Sequence, residues 1–359
     1  MSLASFLWIL TKPKFALSQI QKAAGLLILA LFLTSLTGID PKTSILGDSP
    51  YFQGLILYSQ LYLFSIIISK LKKPQDTFKP LMLSASLVSL VAIKHAVELY
   101  IFNLPVPTYA GRVVSTFGQP NFYAGWILLT LPLFYYQIVR EKRPLIYIVG
   151  FLICILAIVL SYSKTAIFLT GGLILFWLAR SLGRVWKLIT ILVVVTILSA
   201  AFFAVKYQKG FLWEQLGKAN PYYSIVNYSP EKRAYIWPTI LDLISKSPIL
   251  GYGLENLKSI FGTNIRLEEA KVAYAADLKN LVVDRSHNYL LDLAIFAGIL
   301  GVISWLFLVY VLLRKAKGLL LTSLLIYLIW VQFQNQSVVH LIYFWWLLGL
   351  IDQEVTLHT

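Results

Sequence analysis

The sequence is short of the residues that soluble chemistry most often uses. One cysteine, Cys154, stands among 359 residues, which excludes an internal disulfide and any cysteine-based metal cluster. Charged residues make up only 13%, and acids are the scarcer sign, 16 Asp and Glu against 31 Lys and Arg. No internal repeat, no low-complexity tract and no glycine-rich nucleotide loop between a strand and a helix is present. The start, MSLASFLWILTKPKFALSQ, interrupts its short apolar patch with Lys12, Pro13 and Lys14. It lacks the basic, apolar and small-residue order of a secretory leader, so no cleaved signal peptide is expected.

Apolar residues dominate instead. They form 58% of the chain, and the mean hydropathy is +0.74, well above a soluble domain of this size. Repeated apolar runs match the length of a bilayer-crossing helix. The expected fold is an all-α integral membrane protein of about 10 spans (10–12), at roughly 23–39, 53–69, 80–101, 121–139, 144–160, 165–179, 188–205, 288–312, 319–334 and 338–351. This divides the chain into about seven N-terminal spans (1–205), a large extracytoplasmic loop (206–287), and about three C-terminal spans with a short tail (288–359).

The net charge of +15 does not point to nucleic acid, because its distribution follows the spans. Sixteen cations fall on alternate connections: Lys12, Lys14 and Lys22; Lys70, Lys72, Lys73 and Lys79; Arg140, Lys142 and Arg143; Arg180, Arg184 and Lys187; Arg314, Lys315 and Lys317. The short connections between them hold only Lys42, Arg112 and Lys164. Cytoplasmic loops carry such an excess, so both termini are expected in the cytoplasm. The long loop is expected outside, since long loops translocate largely regardless of charge. Within it, PEKRAYIWPTILDLIS has Ser229 as a cap-like residue, Pro230 next, and then apolar residues at helical spacing. It reads as an amphipathic helix near the outer surface, with Trp237 at headgroup depth. The turn signal SPILGYGLENL follows.

Four basic or titratable groups then face the outer side. They are Arg112 in GRVVSTFGQPNFYAG, Lys164 in SYSKTA, Arg233 in EKRAYIW, and His287 in DRSHN. Cations near low-dielectric surroundings need anionic partners. Asp284, Glu231, Asp242 and Glu255 are the carboxylates at hand; an anionic ligand such as a phosphate is the alternative. Each residue also has a plain reading: loop cations as interface anchors, and a histidine at a span start as an interfacial polar residue. Lys164 resists it, because a short outer turn is where the charge bias least favours a cation. Lys94, His95 and Glu98 lie inside the third span, where an i,i+4 Lys94–Glu98 pair is expected. Asn288 is expected to support the site or begin its helix, and FAGILG to be plain span whose glycines allow close packing.

Four segments taken together, RVVSTFGQPNFYAG, SYSKTAIFLTGG, RAYIWPTILDLISKSPILGYGLENL and HNYLLDLAIFAGILG, resemble the O-antigen ligase and polymerase superfamily of bacterial membrane glycosyltransferases. Their order and shared outer side carry the likeness, from Arg112 to Gly301. The resemblance implies residence in the bacterial cytoplasmic membrane and a donor glycan carried on undecaprenyl pyrophosphate. The glycan passes to the hydroxyl of a glycan, lipid or other envelope acceptor on the outer side. His287 is implied as the catalytic histidine and Arg233 as a catalytic and pyrophosphate-binding residue. Lys164 stands where relatives often carry Arg, with Arg112 as a further pyrophosphate ligand and Asp284 and Asn288 in support. No metal and no cofactor are implied, because converging cations can stabilise the leaving pyrophosphate. A polymerase of the same superfamily is the nearest alternative. A transporter or flippase of lipid-linked glycans is the rival from another class, supported by Lys94, His95 and Glu98.

Overall fold

The computed structural model describes residues 16–109, 111–181, 229–264 and 283–353. Among these, helices dominate: α1 (Gln19–Leu36), α2 (Pro41–Leu46), α3 (Leu55–Ile68), α4 (Phe78–Tyr100), α5 (Pro120–Arg140), α6 (Leu145–Leu160), α7 (Lys164–Ser181), α8 (Ser229–Lys246), α9 (Leu257–Asn264), α10 (Tyr289–Lys315), α11 (Gly318–Trp330) and α12 (Val338–Asp352). Nine of the ten expected spans coincide with apolar helices. The expected span at 188–205 lies outside the described residues. Four segments are long and apolar enough to cross a membrane: Gln19–Leu36, Pro74–Tyr100, Pro120–Arg140 and Tyr289–Lys315; the other five apolar helices are shorter. Among the described residues the departure from helix is a two-stranded antiparallel ribbon, β1 (Thr108–Tyr109) with β2 (Arg112–Val113). Pro105 and Pro107 favour extended backbone there, and Gly111 turns the chain at φ 71.

The chain forms two compact units, Met1–Lys79 with Pro230–Thr359, and Pro80–Ser229. In the first unit, α1 packs along α10 and also meets α3, and its small and aliphatic residues Ala23, Ala24, Leu27, Ala30 and Leu31 are all buried. Small side chains let two helices approach closely where no water drives them together. Aromatic contacts bind the last three helices: Phe344 of α12 meets Trp305 of α10 at 4.9 Å between ring centroids and Tyr327 of α11 at 4.8 Å, while Tyr289 meets Trp305 within α10 at 4.8 Å.

This unit has two chemically distinct ends. At one, Gln21 at the start of α1 donates to Ser69 Oγ at the end of α3 (2.9 Å) and to Asp352 Oδ2 at the end of α12 (2.7 Å). Lys22, Lys70, Lys72 and Lys73 belong to the same helix termini; Arg314, Lys315 and Lys317 lie at the α10–α11 connection. At the other end, the Gln53 side chain before α3 donates to the Gln336 carbonyl before α12 (2.9 Å), and the Tyr289 N–H donates to the Val331 carbonyl after α11 (3.0 Å). The segments around Asp284 and Tyr252 join that second end.

In the second unit, α5 packs on α6 and both meet α7. Most of α5 is buried, from Tyr123 to Phe134.

Candidate functional site

The segment carrying His287 is held on both sides. Asn288 is the N-cap of α10, its side chain accepting from the Leu291 N–H at 3.0 Å. The buried carboxylate of Asp292, in the first turn, reaches back to accept from the Ser286 N–H at 2.6 Å. Ser286 Oγ accepts from the Asn288 N–H (3.0 Å) and donates to the Asn288 carbonyl (2.6 Å). Asn288 Nδ2 donates to the Gln332 carbonyl at 3.3 Å, which ties the segment to the α11–α12 turn. Between these fixed neighbours His287 sits half-buried at φ 61, a left-handed conformation. That conformation costs a non-glycine residue about 1–2 kcal/mol. The hydrogen bonds on either side offset it, and they set where the imidazole begins.

Arg285, two residues before, is buried and fully engaged. Its guanidinium pairs with the buried Glu255 carboxylate, stands 3.5 Å from Gln53 Oε1, and lies over the rings of Tyr51 (4.6 Å) and Phe296 (5.2 Å). Burial alone would pull the guanidinium's pKa down, but Glu255 and Asp292 hold it above its ordinary value. Burial also pushes the Tyr51 phenol up to about 12 and raises the half-buried Asp284 carboxyl, with Arg285 pulling the latter the other way. A cavity of about 10 Å³ beside the pair is lined by Gln53, Tyr58, Glu255, Arg285, Asp292 and Gln336. It has room for about one water. The sequence does not single out Arg285, and no spacing in the chain connects it to Glu255, 30 residues earlier.

Helix α10 is not plain span, which corrects the expectation for FAGILG. Gly298 has φ 55 and ψ −157, a conformation open essentially to glycine, and the helix breaks there. The SPILGYG turn supplies the hydrogen bonds that the break removes. Ile299 donates to the Pro248 carbonyl (2.8 Å), and the freed carbonyls of Ile295 and Phe296 accept from Tyr252 (2.8 Å) and Gly253 (2.9 Å). Within a membrane protein such backbone groups must find internal partners. The approach is close: a Cβ on Gly298 would stand 2.2 Å from the Ile249 carbonyl oxygen, and one on Gly251 2.5 Å from that of Ile295.

Helix α8 joins the same assembly. Ile236, Ile240 and Leu243 are buried, so its apolar face is spent on protein. Trp237 is half-buried, and its indole Nε1 donates to the Ser286 carbonyl at 3.0 Å. It therefore serves a fixed polar contact within the protein. Arg233 stands one turn earlier on α8. Arg233, Asp284, His287 and Asn288 thus belong to segments of one unit, and the Trp237 bond connects the two segments directly.

Arg112 and Lys164 belong to the second unit. Arg112 pairs with Tyr109 across the ribbon and is half-buried. Lys164 is exposed and opens α7. Tyr100, at the end of α4, links the two places: its hydroxyl donates to the Gly111 carbonyl at 3.3 Å, and its ring meets Tyr162 at 6.4 Å, edge to face. The expected Lys94–Glu98 pair forms at 2.6 Å on the outside of α4.

Residues 149–306 match the family model described as O-antigen ligase. No curated protein matches the chain. The match includes Lys164, Arg233, Asp284, His287 and Asn288 and begins after Arg112. Four helices among the described residues have the length and apolar character of membrane spans, in keeping with a match to a family of membrane enzymes. Over residues 149–306, somewhat under half of its length, the chain is similar to the O-antigen ligase family.

Proposed function

We propose that the protein transfers a glycan from undecaprenyl pyrophosphate to the hydroxyl of an envelope acceptor. The reaction takes place on the outer side of the bacterial cytoplasmic membrane. The observation that carries this reading is the Trp237–Ser286 hydrogen bond, which couples the R-x-x-x-W helix to the histidine segment inside the family match. The end of the first unit rich in Lys and Arg faces the cytoplasm by the positive-inside rule, so His287 lies at the outer end with both termini inside.

In this mechanism His287 accepts the proton of the acceptor hydroxyl; an ordinary imidazole is poised for that near neutral pH. The acceptor oxygen attacks the anomeric carbon as the bond to the pyrophosphate oxygen breaks. Negative charge grows on the departing lipid pyrophosphate, and Arg233, Lys164 and Arg112 offset it; preorganised cations act most strongly where charge develops. Lys164 brings charge without the two-pronged grip of a guanidinium. The Lys94–Glu98 ion pair within α4 weighs against reading those two residues as a transport path.

The test uses purified protein with undecaprenyl-pyrophosphate glycan and two acceptor sets, envelope molecules for a ligase and lipid-linked repeats for a polymerase. Transfer to the first set is expected, with His287→Ala inactive yet still binding donor and Arg233→Ala weakened in both. Full transfer by His287→Ala would remove the proposed base.

A further inference from the structure

We propose that Arg285 and Glu255 are positioning residues for His287, a buried charge pair that fixes where the imidazole stands and never touches substrate. The inference rests on the catalytic reading of His287 given above.

Three observations converge on it. Glu255 and His287 are both non-glycine residues in left-handed conformations, at φ 63 and φ 61, and the Arg285 side chain connects the two strained places. Both members of the pair are almost wholly buried, and around them Gln53, Tyr51, Phe296 and the Asp48 N–H complete the surroundings. No face of the guanidinium is left for a pyrophosphate, so Arg285 is not a further donor ligand. The pair also closes a frame. Glu255 follows the GYG turn that docks on the break at Gly298, while Arg285 precedes the cap that starts the same helix α10. Two anchor points on one helix, ten residues apart, are thereby joined through one ion pair.

A buried ion pair contributes little net stability compared with a well-packed apolar pair, whereas its directionality can specify one arrangement. The pair therefore acts through geometry: it orients the segment before His287, and misplacement of a catalytic group by about 1 Å costs about 100-fold in rate.

The experiment uses the full chain in detergent or nanodiscs, with Glu255→Gln and the conservative Glu255→Asp. Glycan transfer is measured as kcat and donor KM. The reactivity of His287 towards diethylpyrocarbonate is followed by peptide mass spectrometry, with His95 and His340 as internal references. The expected result for Glu255→Gln is a loss in kcat of about 100-fold with donor KM nearly unchanged, and a changed reactivity confined to His287. Glu255→Asp should recover much of both. Unchanged His287 reactivity in folded Glu255→Gln overturns the proposal, as does wild-type kcat in that variant. If Glu255→Gln does not fold, Glu255→Asp is judged by the same two readouts. Should the wild-type protein transfer no glycan, the catalytic reading fails, and His287 reactivity alone decides whether the pair positions that side chain.

Discussion

The His287 segment and the Lys164 turn are built from similar parts and held in different ways. Each is a short polar stretch before an apolar helix, and each contains a left-handed non-glycine residue, His287 at φ 61 and Tyr162 at φ 51. Around His287 the restraints come from far along the chain: Glu255 on Arg285, Trp237 on Ser286, Gln332 on Asn288. Around Lys164 the backbone is held by local hydrogen bonds, with Tyr123 and Tyr100 reaching the turn from other helices. Ser161 Oγ accepts from Ser163 N–H at 3.0 Å and donates to the Ile158 carbonyl, and Ser163 O accepts from Ile167 N–H at 2.9 Å. In the proposed reaction, long-range ties would suit a base that must meet one proton, and a looser hold would suit a cation that offers charge to a flexible lipid pyrophosphate.

Substitutions can break that contrast. Arg285→Ala leaves Glu255 buried without its cation and should cost about 3–5 kcal/mol, read as a lowered unfolding midpoint in detergent. Lys164→Ala, by contrast, should move that midpoint by less than about 0.5 kcal/mol while slowing transfer. A midpoint equally sensitive to both would abolish the distinction. Gly298→Ala comes next. The left-handed backbone and the crowding against Ile249 together should cost about 2–3 kcal/mol, and amide exchange should rise at Tyr252 and Gly253, whose N–H groups depend on the break. Asn288→Ala removes the cap of α10 for about 1 kcal/mol, a loss that Asn288→Asp should largely avoid.

Asp284→Asn has the smallest expected effect and reads the pH behaviour of the same segment. Burial raises the Asp284 carboxyl in the folded protein, so folding there favours the protonated form. Stability drawn from that proton is present below the ordinary carboxylate pKa and lost as pH rises through the folded value. Asp284→Asn should thus be slightly more stable than wild type at neutral pH, with the gain fading in acid. A gain that grows in acid would contradict the assigned direction.

Much of this architecture was legible in the residues. Apolar runs predicted the helices because a chain in lipid must satisfy its backbone within each segment. Ser229 and Pro230 marked the start of α8, and the bias of Lys and Arg marked one end of the helices. The order of four weak motifs was enough to suggest the family. Other features were not legible. FAGILG looks like uninterrupted span, since nothing local distinguishes a glycine that packs from one at which the helix breaks. That Trp237 also donates to the Ser286 carbonyl is equally hidden in the sequence.

By itself, then, the sequence determined which segments are helical, where charge accumulates and which side chains have the right chemistry. These follow from hydropathy, capping and charge, which act over a few residues. Only the tertiary structure decided that Arg285 meets Glu255, that the GYG turn completes a broken helix, and that α8 and the His287 segment share a hydrogen bond. Those contacts depend on which helices lie side by side, and a buried charge or a freed carbonyl takes whatever partner the packing brings to it.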